Sequence, residues 1–266
     1  MSITVLHAPE SKIFSNKVAK HLTRQTQYDG LFLPFPRESA EFIFRLCEGL
    51  PANLVVPDLK KALEPILSPI EDPWEKSVEP LLKALSQIKK GNPKMQPYCY
   101  RDSFFAHFET GNSGELAVLV LKTMMSGKID AKEWKAVIKK DRKYRFDSLE
   151  AEIDFIAHHA ENHEKSSCIS STGNYFASRL QEEGFETNLI SFGHYSLTPI
   201  EQLISKVFQE SIPDEEIKKL VLLHIKYIKK YLYRSTNIEE ANYRWQIRKD
   251  PLKRLLFEIK KLRQKN

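Results

Sequence analysis

Short β-branched runs alternate with helix-period stretches over the first third of the chain. Residues 2 to 6 (SITVL) form an apolar run closed by His7, Ala8 and Pro9, the way a buried strand ends in a loop. Lys12 to Thr26 follows with Phe14, Val18, Ala19 and Leu22 on one stripe of a 3.6-residue period and Ser11 placed to cap it. Asp29 to Leu33 predicts a second strand, stopped by Pro34 and Pro36, and Glu38 to Cys47 a second helix. Leu54 to Val56 predicts a third strand before Pro57. Strands separated by single helices are the pattern of βαβ units, so the fold expected is α/β, a mostly parallel sheet flanked by helices.

Prolines at 65, 69, 73 and 80 interrupt the helical stretch 58 to 90, which reads as an excursion from the sheet. Residues 97 to 101 (PYCYR) are a candidate return to it. The run 115 to 125 carries both strand and helix signals and is taken as helix. A helix is expected from 146 to 163, with Asp147 and Glu150 as a capping box. A second βαβ passage follows: Ser167 to Ser170, a helix from Asn174 to Glu183, Gly184 as its C-cap, and a strand from Thr187 to Phe192. No strand is predicted beyond Pro199. The expected division is an α/β domain over 1 to 210 and a basic, all-helical C-terminal extension over 211 to 266.

The formal net charge of +6 hides an uneven distribution. From Ser211 onward there are 15 Lys or Arg against 7 Asp or Glu, a net +8, whereas residues 1 to 210 hold 26 against 28. A local positive field attracts phosphates of nucleic acid or another polyanion. Lys230, Arg234, Arg244, Arg248, Lys249 and Arg254 are interleaved with Tyr243 and Trp245, the mixture with which single strands are gripped by stacking and charge. Leu220, Leu223, Ile228 and Leu232 equally give these helices a packing side. Cys47, Cys99 and Cys168 are isolated from one another and read as buried thiols in a reducing compartment, with no secretion signal and no membrane span expected, hence a cytoplasmic chain.

Ligands of open parallel sheets bind past the carboxyl ends of strands. His7 and Glu10 follow the first strand there, Asp102 follows Arg101, and Gly193-His194 follows the last strand. An imidazole and carboxylates at one edge can share a proton or a divalent metal, with His7 and His194 as ligands. Glu152, His159 and His163 are spaced to form a second metal set on one helix face, although polar residues on opposite faces of that helix also suit plain solvent exposure. Ser170, Ser171, Thr172 and Gly173 precede a helix and could hold a phosphate or serve simply as its cap.

The early strand-ending His7 and the late His194, within LISFGHYSLTPIEQLI, together resemble the TraB/TIKI and erythromycin-esterase/ChaN-like superfamily over roughly the first 210 residues. The early glycine of that pattern is absent, since Thr4, Val5 and Leu6 precede His7. The resemblance implies hydrolysis assisted by a metal or a histidine, with His7 and His194 at the motif positions and Arg179 on the counterpart of the middle helix. The expectation is thus a hydrolase whose polar cleft holds His7, Glu10, Asp102 and His194, with Arg179 or Lys165 steadying an anion. The alternatives are a nucleic-acid-binding protein using its C-terminal helices, or a non-catalytic assembly subunit.

Overall fold

Five strands make one sheet in the computed structural model, which describes residues 1–64, 74–193, 197–209, 212–236, 238–253, 255 and 257. They are β1 (Ser2–His7), β2 (Gly30–Pro36), β3 (Gln96–Arg101), β4 (Lys165–Ser170) and β5 (Glu186–Ser191). The order is β3-β2-β4-β1-β5 and every neighbouring pair is parallel. Ser2 lies opposite Lys165 and Glu186, and His7 opposite Ser170 and Ser191, so three strands end level.

Alternation sends Leu6, Leu31, Leu33, Cys99 and Ile169 to one face. There they pack on Val18 and Leu22 of α1 (Lys12–Leu22), Ile43 and Leu46 of α2 (Ala40–Cys47), Val55 of α3 (Ala52–Leu63) and Leu85 of α4 (Trp74–Gly91). Ile3, Val5, Phe32, Tyr100 and Cys168 turn to the other face, against the later turns of α6 (Ala131–Ala160) and α7 (Gly173–Glu182) through Ile153, Ile156, Phe176 and Leu180.

Three expectations need correction. Leu54 to Val56 belong to α3, because Val55, Leu59 and Leu63 recur every four residues and are all buried, and this period outweighs the β-branched pair. The third strand is instead β3, from the candidate return segment. Pro34 and Pro36 do not stop β2: the strand continues through them, while its register with β3 shifts between Leu33 and Pro36, where two N–H donors are missing. The helix expected to begin at 146 begins at Ala131, so Asp147 and Glu150 lie in its interior and His163 beyond its end.

The chain divides into two compact units, Met1–Gly111 with Lys143–His194 and Asn112–Arg142 with Tyr195–Asn266. In this division residues 112–142 group with the C-terminal helices. These residues come from α5 (Ser103–Ser126), which contains the stretch read as helix at 115 to 125, and from the start of α6. The second unit is built further from α8 (Pro199–Gln209), α9 (Asp214–Lys230) and α10 (Ile238–Gln246). Trp134, Ile138 and Leu119 share its core with Leu203, Val221, Tyr227 and Trp245. Trp134 is fully enclosed, and its indole N–H donates to Thr123 Oγ1 at 3.2 Å. No helix among the described residues is long and apolar enough to cross a membrane.

Candidate functional site

Neighbouring strands β1 and β4 hand the chain to helices on opposite faces of the sheet, α1 on one and α7 on the other. Their loops diverge, and a crevice is left where the carboxyl ends of the two strands meet. His7 and Ser170 are register partners at that point. The Gly173 N–H donates to His7 Nδ1 at 3.2 Å. A side chain at Gly173 would put its Cβ 2.5 Å from His7 Cβ, so this close approach requires glycine. A backbone N–H can only donate, so Nδ1 accepts with its lone pair and the single proton of the neutral ring sits on Nε2.

The same loop answers the phosphate expectation. Ser170 Oγ accepts the Thr172 N–H at 3.1 Å and lies 3.2 Å from Thr172 Oγ1. The N–H groups of Thr172 and Gly173 are thus taken by Ser170 and His7. Of this loop, Gly173 binds the imidazole, and Thr172 is tied back to Ser170.

Charged side chains line the rest of this edge. Arg101, at the end of outermost β3, donates to Glu10 Oε1 at 2.5 Å. Glu10 lies in the loop after β1, so the pair reaches across the ends of β2 and β4. The Arg101 guanidinium, with a smaller contribution from Arg145, holds the Glu10 carboxyl below the usual carboxylate range. Asp102 lies 3.4 Å from Arg37, and Ser103 Oγ donates to the Glu38 carboxylate. The Arg37 guanidinium rests over the Phe155 ring, 4.4 Å from its centroid, and its buried Nε has no hydrogen-bond partner among the described residues. Beneath this layer the Tyr100 hydroxyl donates to the Ile169 carbonyl at 2.7 Å, and burial pushes its ionisation well above the ordinary tyrosine value.

His7, Glu10 and Asp102 therefore share one edge, while His194 lies outside the described residues. Arg179 stands elsewhere, in the last turn of α7, held by Glu150 at 2.7 Å and also by Glu182 and Glu183. Its guanidinium is thus engaged by three carboxylates. His159 and His163 both pack on Tyr98, with ring centroids at 5.0 and 5.6 Å, and His163 Nε2 is 2.9 Å from the Tyr98 hydroxyl. Burial lowers the pKa of both histidines. Glu152 is buried beside Ser148, whose hydroxyl donates to it at 3.4 Å. Among the described residues no group of three or more His, Cys, Asp or Glu side chains could hold a metal ion. All three cysteines are buried, and burial raises the thiols of Cys47 and Cys99 to about 12, far from a reactive thiolate.

In the second unit Trp245 is only 2% exposed, which corrects the expectation of a stacking platform. Its indole N–H donates to the Leu197 carbonyl at 3.2 Å, Tyr227 and Tyr231 stand edge-on to it, and the Arg248 guanidinium covers it at 3.4 Å. Arg244 donates to the Arg234 carbonyl at 2.8 Å and Tyr243 packs on Phe257. Lys226, Lys229, Lys230, Tyr233 and Arg234 are exposed. Arg254 and the side chain of Lys249 lie outside the described residues.

Arg37 and Arg101 stand at this edge although sequence reasoning did not select them. The available signal was position: Arg37 stands just beyond a strand end, and Arg101 immediately precedes the selected Asp102. The chain matches no protein-family model, no curated protein and no solved structure.

Proposed function

We propose that the carboxyl edge of the sheet in the first unit is a hydrolytic site in which His7 is the central group. The observation that carries this reading is the pairing of His7 with Ser170 at the crevice between β1 and β4, where loops part to opposite faces. With Nδ1 occupied by the Gly173 N–H, the imidazole presents a donor at Nε2. A donor there suits an oxygen on which negative charge develops when water attacks a carbonyl or phosphoryl group. The same hydrogen bond disfavours metal ligation by His7, since Nε2 would have to lose its proton while Nδ1 faces an N–H. Asp102, beside Arg37, is the carboxylate assigned to receive the proton of the attacking water.

The test is a panel of chromogenic carboxylic esters, anilides and phosphomonoesters offered to full-length protein and to H7Q, which keeps the size of the side chain. Turnover reduced about 100- to 1,000-fold in kcat/KM by H7Q, with an unchanged circular dichroism spectrum, is the expected result. Turnover that survives H7Q removes the reading.

A second reading has its own observation. Lys226, Lys229, Lys230 and Arg234 are exposed around the end of α9 beside Tyr233, which is 67% exposed, a surface suited to a polyanion. Binding to single-stranded nucleic acid that weakens steeply between about 50 and 200 mM salt, with a shallower slope in a K229E/K230E variant, is what it predicts. Salt-independent or absent binding at micromolar protein removes it.

A further inference from the structure

Resting on that reading of the carboxyl edge, we infer that Arg101 anchors a carboxylate of the substrate and that Glu10 occupies this position in the free protein. The geometry is that of a strap. Strands β3 and β1 are three positions apart in the sheet, about 14 Å at the usual spacing of neighbouring strands. Arg101 and Glu10 span that gap with their side chains, so their ion pair lies over the ends of β2 and β4, beside the crevice that His7 and Ser170 define.

The pair is built to be exchanged. Glu10 sits in a loop between β1 and α1 and its side chain is 62% exposed, so it can swing away without disturbing an element. An exposed ion pair is worth little, and its opening costs little. The contact to Glu10 Oε1 is the only hydrogen bond of the Arg101 guanidinium among the described residues, although the group can form two parallel bonds to a planar carboxylate. A ligand free to orient itself can satisfy the fork where Glu10, tethered to its loop, makes one bond.

Charge selects the class of ligand. A carboxylate brings one negative charge to the Arg101 guanidinium, and succinate carries its second charge on the far carboxylate, whereas a phosphate dianion concentrates both where Asp102, Glu38 and Glu152 already stand. Arg37 strengthens the preference for an anion over a neutral ligand: it follows Pro36, the register partner of Arg101, and its Nε is buried without a hydrogen-bond partner among the described residues.

The experiment measures binding of succinate and, separately, inorganic phosphate to the full chain by calorimetry, for wild type, E10A and R101Q, with thermal melts to verify folding. Succinate should bind at millimolar concentration, about fivefold more tightly to E10A because the competing side chain is gone, and not detectably to R101Q. R101K, which keeps the charge and loses the fork, should bind more weakly than wild type and serves as the check where R101Q folds poorly. Equal affinity of wild type and E10A overturns the inference, as do retention of binding by R101K at wild-type strength and absence of succinate binding to both wild type and E10A. Tighter binding of phosphate than of succinate overturns the assignment of a carboxylate. The two readings fail separately: succinate binding that follows this pattern in a protein without hydrolytic turnover leaves the inference standing, whereas turnover that H7Q abolishes, without any Glu10 or Arg101 effect on succinate, leaves only the hydrolytic site.

Discussion

His7 in the first unit and His224 in the second meet their surroundings in opposite ways, and so do Arg101 and Arg248. In the first, His7 stands half-buried at a strand end with its ring nitrogen bonded to a helix N–H, and guanidinium groups reach carboxylates across a solvent-accessible edge. In the second, His224 is buried on α9 with its ring stacked on that of Tyr227 and its Nδ1 unpartnered among the described residues, and a guanidinium, that of Arg248, covers a tryptophan instead of meeting a carboxylate. A sheet edge gathers polar groups from distant segments because every strand ends there. A helical bundle of this size gathers aromatic rings for the same topological reason, at its axis, and leaves cations to line the outside.

The largest expected effect tests the bundle. Trp245→Ala removes a ring packed by Tyr227, Tyr231 and Arg248 and should destabilise the second unit by about 3 to 5 kcal/mol, read as a shift of its urea midpoint. A loss below about 1 kcal/mol would show that the ring is dispensable for packing and would return Trp245 to the candidates for base stacking.

His224 gives the next effect, through pH. Desolvation lowers its pKa from 6.5 to about 4 in the folded protein. Between those values the unfolded chain takes up a proton that the folded chain refuses, so stability is full above pH 6.5 and declines as pH falls toward 4, by about 3 kcal/mol in total. His224→Leu should flatten this part of the stability curve in chemical denaturation. A variant whose pH dependence matches wild type would place the acid sensitivity elsewhere, for example at His159 or His163.

At the sheet edge Gly173→Ala should cost about 1 to 3 kcal/mol, since the new methyl carbon would lie 2.5 Å from His7 Cβ. The same change should lower any hydrolytic turnover by displacing His7, and turnover equal to wild type would separate His7 from the chemistry. The smallest effect is expected for Arg179→Ala. Its ion pairs with Glu150, Glu182 and Glu183 are partly exposed, so the loss should stay within about 1 kcal/mol by thermal melt and leave turnover unchanged. A large fall in turnover would restore Arg179 to the site.

What could be read from the sequence follows the same divide. The parallel sheet and its edge were legible because strands end at punctuation: His7 closes an apolar run, Arg101 an aromatic one, and Ser170 stands before Ser171-Thr172-Gly173. Leu54 to Val56 misled because three residues are too few to distinguish periods of 2 and 3.6, and only the burial of Leu59 and Leu63 decides. The engagement of the Gly173 N–H was invisible, since it depends on a contact between residues 7 and 173 that no local pattern encodes. Trp245 was ambiguous for a different reason. Aromatic rings among cations suit a binding surface and a packed helix interface alike, and the choice between them lies in tertiary contacts with Leu197 and Tyr227.

The position of β1 between β4 and β5 has a consequence for synthesis. β1 is made before the other four strands and has no partner in this sheet until Lys165–Ser170 has been made, and then needs Glu186–Ser191 as well. At ordinary elongation rates that interval is about 10 to 30 s, during which both edges of an apolar strand stay open to other chains. β2 and β3, by contrast, pair with each other as soon as Arg101 emerges. The sheet therefore closes by insertion: β4 must come to rest on β2 and receive β1 on its other side, so the crevice holding His7 and Ser170 is among the last parts of the first unit to exist.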